Sequence, residues 1–271
     1  MANQLPYRFP VSSNEASEHS RYPYVMHHYR VGGTYWDNIK SLFQLHTESV
    51  NAWSMILASA LSVCGTVYMY VTHPSAFPIF AIFTSSAVIH LPFSVGYHLF
   101  TSMDRSTFHK WRQYDVIAMM SVCVLLAYSL GYFVFPPWLC YMNTGYTCVL
   151  VIKGVKQFAG LSDEHDLDPL THSKSLCMIV ASYCVPLMYS LIRDLVHLEM
   201  HLSTYCTAGI SLGLLFSGWA YSSRWPQKLS PGRFDVWGHS HQVMHIGILL
   251  CHLFEFMFIY DNYKRSFEYT K

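Results

Sequence analysis

Charge is what this chain has least of. Only 12% of its 271 residues are Asp, Glu, Lys or Arg, about half the roughly 25% of ordinary soluble domains. The net charge is +1 and no basic stripe occurs, which excludes a nucleic-acid role. No Cys-x-x-Cys pair is present. The eight cysteines (64, 123, 140, 148, 177, 184, 206 and 251) all fall inside apolar runs, where they read as small core residues and not as a disulfide framework. There is no Asn-x-Ser/Thr acceptor and no internal repeat. Residues 1–47 contain no early apolar run, so a cleaved signal peptide is not expected and the first crossing should act as the insertion signal.

What is present in abundance is apolar length. Hydrophobic residues make up 52% and aromatics 16% of the chain. Seven segments approach the ~20 residues a helix needs to cross hydrocarbon: 49–71, 77–100, 114–135, 137–155, 175–195, 202–221 and 236–260. The fourth is weakest, since Asn143 and Gly145 interrupt it and Lys153 closes it. Pro186 predicts a kink in the fifth. Six to eight crossings fit the pattern, and seven fits best. The fold class is therefore all-α, a seven-helix membrane bundle.

Lysine and arginine set the orientation. The N-terminal segment and the second-to-third, fourth-to-fifth and sixth-to-seventh connections carry thirteen of them, against four on the opposite side. That places the N-terminus in the cytoplasm and the C-terminus outside. Residues 1–33 read as a disordered cytoplasmic segment and 34–47 as an interfacial amphipathic helix. There Thr34 and Asp37 form a capping box, and Trp36, Ile39, Leu42 and Phe43 supply an apolar face. Residues 48–261 form the seven-helix domain and 262–271 a short outer tail. The acidic loop Asp163–Asp168 reads as a solvated connection rather than a metal site.

Several polar side chains sit inside this apolar frame, where each is a functional candidate by default. His241 and His245, four apart at the start of the seventh crossing, point the same way and can grip one metal ion. The proposed topology brings Ser94 and His98 to the same cytoplasmic level from the second crossing, and Asp115 from the third. Glu48 and Asn51 reach that level from the first, either as helix caps or as part of a polar floor. Three histidines from two helices suit zinc, with a fourth position left for water. Asp115 could then orient that water or take its proton, and Ser94 could hydrogen-bond a ligand. His252, seven residues beyond His245, reads as an interior hydrogen-bonded group or a ligand contact.

At these residues the chain resembles the progestin and adipoQ receptor family. One block is Tyr29-Arg30, Ser41-x-Phe43, His46, Glu48, Asn51 and Trp53; another is Ser94-x-x-x-His98 followed by Asp115. The last is Pro231-Gly232-Arg233-Phe234-Asp235, then Gly238-His239-Ser240-His241-Gln242-x-x-His245. The resemblance runs from about residue 29 to 255, and the chain is similar to the family's shorter members. It implies Zn2+ held by His98, His241 and His245, with Asp115 contacting it through water and Ser94 beside it. One departure stands out: Met55 occupies the position of the family's usual histidine, and methionine can neither donate a strong hydrogen bond nor carry a proton. The resemblance implies a receptor for a steroid, sphingolipid or extracellular protein ligand, in the plasma membrane or alternatively the Golgi. A zinc-dependent ceramidase-like hydrolase acting on a lipid amide, and a purely structural zinc, are the rival readings.

Overall fold

The computed structural model describes residues 5–159 and 169–268, and the acidic loop Asp163–Asp168 lies outside them. An antiparallel ribbon, β1 (Arg8–Val11) and β2 (Tyr29–Val31), pairs Arg8 with Val31 and Val11 with Tyr29. A short helix, α1 (Tyr35–Lys40), comes next. The long helices follow: α2 (Ser49–Thr72), α3 (Phe77–Phe100), α4 (Arg105–Gly131) and α5 (Pro137–Ala159). Then come α6 (Pro169–Tyr183), α7 (Val185–Val196), α8 (Leu202–Ser223) and α9 (Ser240–Glu268).

Four of these, α2, α3, α4 and α9, are long and apolar enough to cross a membrane, and α6 with α7 makes a fifth if the pair is one span bent by 49°. Pro186 lies in the first turn of α7, where its missing N–H would have had no helical partner anyway, so the break falls beside it. Helices α5 and α8 cover the expected fourth and sixth crossings with 23 and 22 residues. Neither matches the apolarity of the other four, because Asn143, Lys153 and Lys156 dilute α5 and Ser203, Thr204, Ser211 and Ser217 dilute α8.

Two compact units can be distinguished. The first comprises Met1–Leu57, Leu91–Asp115 and Gly213–Leu249; the second comprises Ala58–His90, Val116–Leu212 and Leu250–Lys271. In the first unit Val11, Ala16, Val25, Tyr29 and Val31 bury one another around the ribbon. The Tyr29 hydroxyl accepts from Tyr22 N at 2.9 Å, and Arg21 donates to Ala16 O at 2.6 and 2.9 Å. This corrects the disorder expected over residues 1–33 as far as residues 5–33 are concerned. The apolar residues there are too few and too irregularly spaced to give a periodic signal, and they find their partners only through the turn between the strands. The same unit brings α3 and α4 into close approach: a Cβ on Gly96 would lie 2.1 Å from the Trp111 ring, so only glycine fits.

Thr34 caps α1 in a capping box, accepting from Asp37 N at 3.2 Å while the Asp37 carboxylate accepts from Thr34 N at 2.9 Å. The helix is six residues long and gives way to a 3-10 turn over Ser41–Phe43, shorter than the helix expected over 34–47. Trp36 and Phe43 stand 62% and 81% exposed beside it.

In the second unit α9 continues to Glu268, which corrects the tail expected over 262–271. Asn262, Tyr263 and Arg265 are buried there, and Arg265 donates to the buried Asp194 carboxylate at 3.0 and 3.3 Å. A buried ion pair holds the helix past the point where apolar composition ends.

Candidate metal centre

The first turn of α9 is anchored residue by residue. Gly238 has φ +86°, a left-handed conformation that costs a residue without Cβ nothing. His239 Nε2 donates to Thr47 O at 2.8 Å, and Gln242 Nε2 donates to Thr47 O at 3.0 Å and to Val236 O at 2.8 Å. The Gln227 amide accepts from Ser240 N at 2.7 Å and donates to Ser240 Oγ at 2.8 Å, capping the helix from outside its own sequence. With the start of α9 held this way, His241 and His245 project in one direction.

The third histidine comes from the last turn of α3. Arg30, buried in the first unit, donates to the carbonyls of His98 and Leu99 at 2.8 and 3.1 Å and to Ser41 Oγ. Burial pulls its pKa down to about 10, and its planar fork satisfies the orphan carbonyls at the helix end. Arg30 is therefore a clamp on the helix that carries His98. Beneath it, His46 Nδ1 accepts from Glu48 N at 3.1 Å and His46 Nε2 donates to Ser41 O at 3.0 Å. Burial pushes the His46 pKa down to about 2 and keeps that ring neutral, as its accepting nitrogen requires.

The three rings converge. Their centroids are 4.8 to 5.2 Å apart, and one nitrogen of each lies within 4.8 Å of the others. His98, His241 and His245 are only 1%, 9% and 8% exposed. The Glu48 carboxylate accepts from His98 Nδ1 at 2.8 Å and from Asn51 Nδ2 at 2.7 Å. That turns His98 Nε2 toward the other two rings. Ser54 commits its hydroxyl hydrogen to Asn51 O at 2.8 Å, so its 3.3 Å contact with His245 Nδ1 has the imidazole as donor. His245 Nε2 faces His98 Nε2 at 3.1 Å. That spacing is close to the separation of two imidazole ligands on one tetrahedral metal ion. His241 Nδ1 is buried without a hydrogen-bond partner. The donor set of three imidazoles, one backed by a carboxylate, fits a metal ion and its usual supporting shell.

The other sequence candidates fall as follows. Ser94 is buried one turn before His98, on the same helix. Asp115 is half-buried in α4 and within electrostatic reach of His241. Glu48 and Asn51 belong to the cluster, with Glu48 supporting His98 directly. His252 does not: it lies in the second unit, stacked on Phe83 with centroids 4.3 Å apart, its Nδ1 3.2 Å from the Glu255 carboxylate. Sequence reasoning missed Ser54 and the role of Arg30. Ser54 follows Asn51 at i+3, a same-face spacing that was the available signal; Arg30 had no such signal, because it acts across 68 residues of chain.

Comparison with known proteins gives the family. The model of the family described as "Haemolysin-III related" matches residues 43–256, well over half of the chain. The chain is 27% identical to the mouse (Mus musculus) membrane progestin receptor beta over 293 positions, covering 95% of this chain and 77% of that protein. It is 22% identical to heptahelical transmembrane protein 1 of Arabidopsis thaliana, covering 84% of this chain and 73% of that protein. With the adiponectin receptor protein of Drosophila melanogaster it shares 25% identity over 78% of its own length, spanning about half (49%) of that longer relative. The chain is a multi-pass integral membrane protein of the haemolysin-III-related family, and within it belongs to the progestin and adipoQ receptors.

Proposed function

We propose that this protein is a membrane receptor of the progestin/adipoQ type, sensing a steroid, lipid or protein ligand, with a zinc ion held by His98, His241 and His245. The observation that carries the zinc is the convergence of three buried imidazoles from α3 and α9, with His98 Nε2 and His245 Nε2 facing each other 3.1 Å apart. Three imidazoles suit zinc, with Glu48 orienting one of them from behind. The relatives' names as progestin and adiponectin receptors support the receptor reading. The name of the Arabidopsis relative and the positions of α5 and α8 support seven crossings, and the charge bias supports an inside N-terminus.

A zinc-dependent lipid-amide hydrolase is the second reading, favoured by a donor set of three protein ligands, which leaves a coordination position open. Bound zinc supplies a water acidified toward a pKa of about 7 and a positive site for a developing oxyanion. On the protein side, Asp115 would take the proton and deliver it to the leaving amine, and Ser94 would hydrogen-bond the carbonyl oxygen.

The deciding experiment measures metal content and ceramide turnover on purified wild type, His241→Ala and Asp115→Ala. One zinc per chain, lost in His241→Ala, is the expected result; no zinc in wild type would sink the centre. Turnover abolished in Asp115→Ala with zinc retained assigns hydrolysis. Steroid binding without turnover in any variant leaves the receptor alone.

A further inference from the structure

The block Pro231-Gly232-Arg233-Phe234-Asp235 supplies no metal ligand, yet its Gly232, Arg233 and Asp235 line a surface cavity of about 230 Å³ with His27, His28, Val236 and Trp237. All of these residues belong to the first unit. The cavity is a deliberate junction between two chain segments. The Asp235 carboxylate accepts from Met26 N at 2.9 Å and His27 N at 2.8 Å, and Gly232 N donates to Tyr24 O at 3.2 Å. Gly232 takes φ +81°, and His28, unusually for a side-chain-bearing residue, takes φ +65°. Both oxygens of Asp235 are thus occupied by backbone donors. The Arg233 guanidinium and the His27 and His28 imidazoles have no hydrogen-bond or ion-pair partner among the described residues.

We propose that this cavity binds the phosphate of an anionic phospholipid headgroup. The exposed His27 and His28 imidazoles and Arg233, a permanent cation with the fork geometry that matches phosphate, line this open space beside Asp235. Its volume is below the roughly 300–1,000 Å³ of pockets that enclose a whole small molecule, so it takes a polar head and leaves the acyl chains outside. The lipid source follows from position. Trp237 is 62% exposed and lies three residues ahead of α9, one of the membrane-crossing helices, and Leu229 is 76% exposed on the same connection. An exposed tryptophan at the mouth of a span is an interfacial anchor. In the proposed topology this connection, with Arg224, Lys228 and Arg233, faces the cytoplasmic leaflet where anionic lipids concentrate.

The test titrates the full-length protein, in phosphatidylcholine nanodiscs, with dioctanoyl phosphatidic acid and separately with inorganic phosphate. Arg233→Gln should weaken phosphatidic acid by about tenfold or more, the loss of one charge-assisted fork. His27→Gln, on the other chain segment lining the cavity, should weaken it several-fold and provides a second reading should Arg233→Gln fold poorly. Lys228→Gln removes a neighbouring charge that does not line the cavity and should change affinity by less than about twofold. Equal losses in Lys228→Gln and Arg233→Gln would reduce the effect to general surface charge and overturn the site. Unchanged affinity in both Arg233→Gln and His27→Gln would do the same. Displacement of phosphatidic acid by millimolar inorganic phosphate would assign the cavity to free anions and overturn the lipid.

Discussion

Two buried polar networks in this protein are built to opposite ends. Around Asp194 in the second unit every acceptor is filled: Arg265 donates to both oxygens, Arg193 to one at 3.1 and 3.2 Å and Thr204 to the other at 2.7 Å. Around Glu48 in the first unit the carboxylate is filled too, but what it supports is left open. It holds His98 with Nε2 turned toward His245, while His241 keeps a buried nitrogen without a partner. A network of opposite charges ties α7, α8 and α9 together. The histidine cluster instead gathers three ligating rings at one point. Burial alone does not mark a candidate site; convergence of ligating side chains does.

The sharpest break of that contrast is removal of a convergent ring. His98→Ala should abolish metal binding, read as zinc per chain by elemental analysis, while leaving helix content by circular dichroism near wild type. Retained zinc would mean the facing nitrogens are not ligands. The closed network should respond in the other currency. Asp194→Ala leaves the Arg265 charge buried and should destabilise the fold by about 3–5 kcal/mol, seen as a lowered melting temperature, with zinc stoichiometry in the surviving folded fraction unchanged.

Smaller effects refine the open cluster. Glu48→Gln keeps the size of the side chain but replaces the carboxylate behind His98, and should weaken zinc about 10–100-fold in a chelator competition assay. An unchanged affinity would reduce Glu48 to a helix-start residue. Ser54→Ala removes a neutral hydroxyl from His245 Nδ1, worth about 0.5–1.5 kcal/mol as a net hydrogen bond, and should cost no more than about tenfold in the same assay. A loss as large as that of Glu48→Gln would show that the two backing groups act as a unit.

Much of the site was legible because it is carried by local spacing. His241 and His245 share a face at i,i+4, and Ser94 and His98 do the same on α3. Glu48, Asn51 and Ser54 follow one another at i+3. The N-terminal ribbon was not legible. Its apolar residues are separated by turns, and their pairing arises from Tyr29 and Arg21 reaching back along the chain. Nor was the end of α9, where Arg265 counts in the sequence as a tail charge and in the fold as the partner of Asp194.

The amino-acid order alone determines that this chain seeks a membrane, since apolar runs of span length and scarce charge permit no other solvent. It also determines which histidines can share a helix face, because helical periodicity is a local property. Tertiary structure decided which nitrogen of each ring faces the shared point. That choice rests on Glu48 meeting His98 and on Ser54 meeting His245, contacts spanning 50 and 191 residues. An imidazole's free lone pair is set by whatever holds its other nitrogen, and only the folded chain brings that partner within hydrogen-bonding distance.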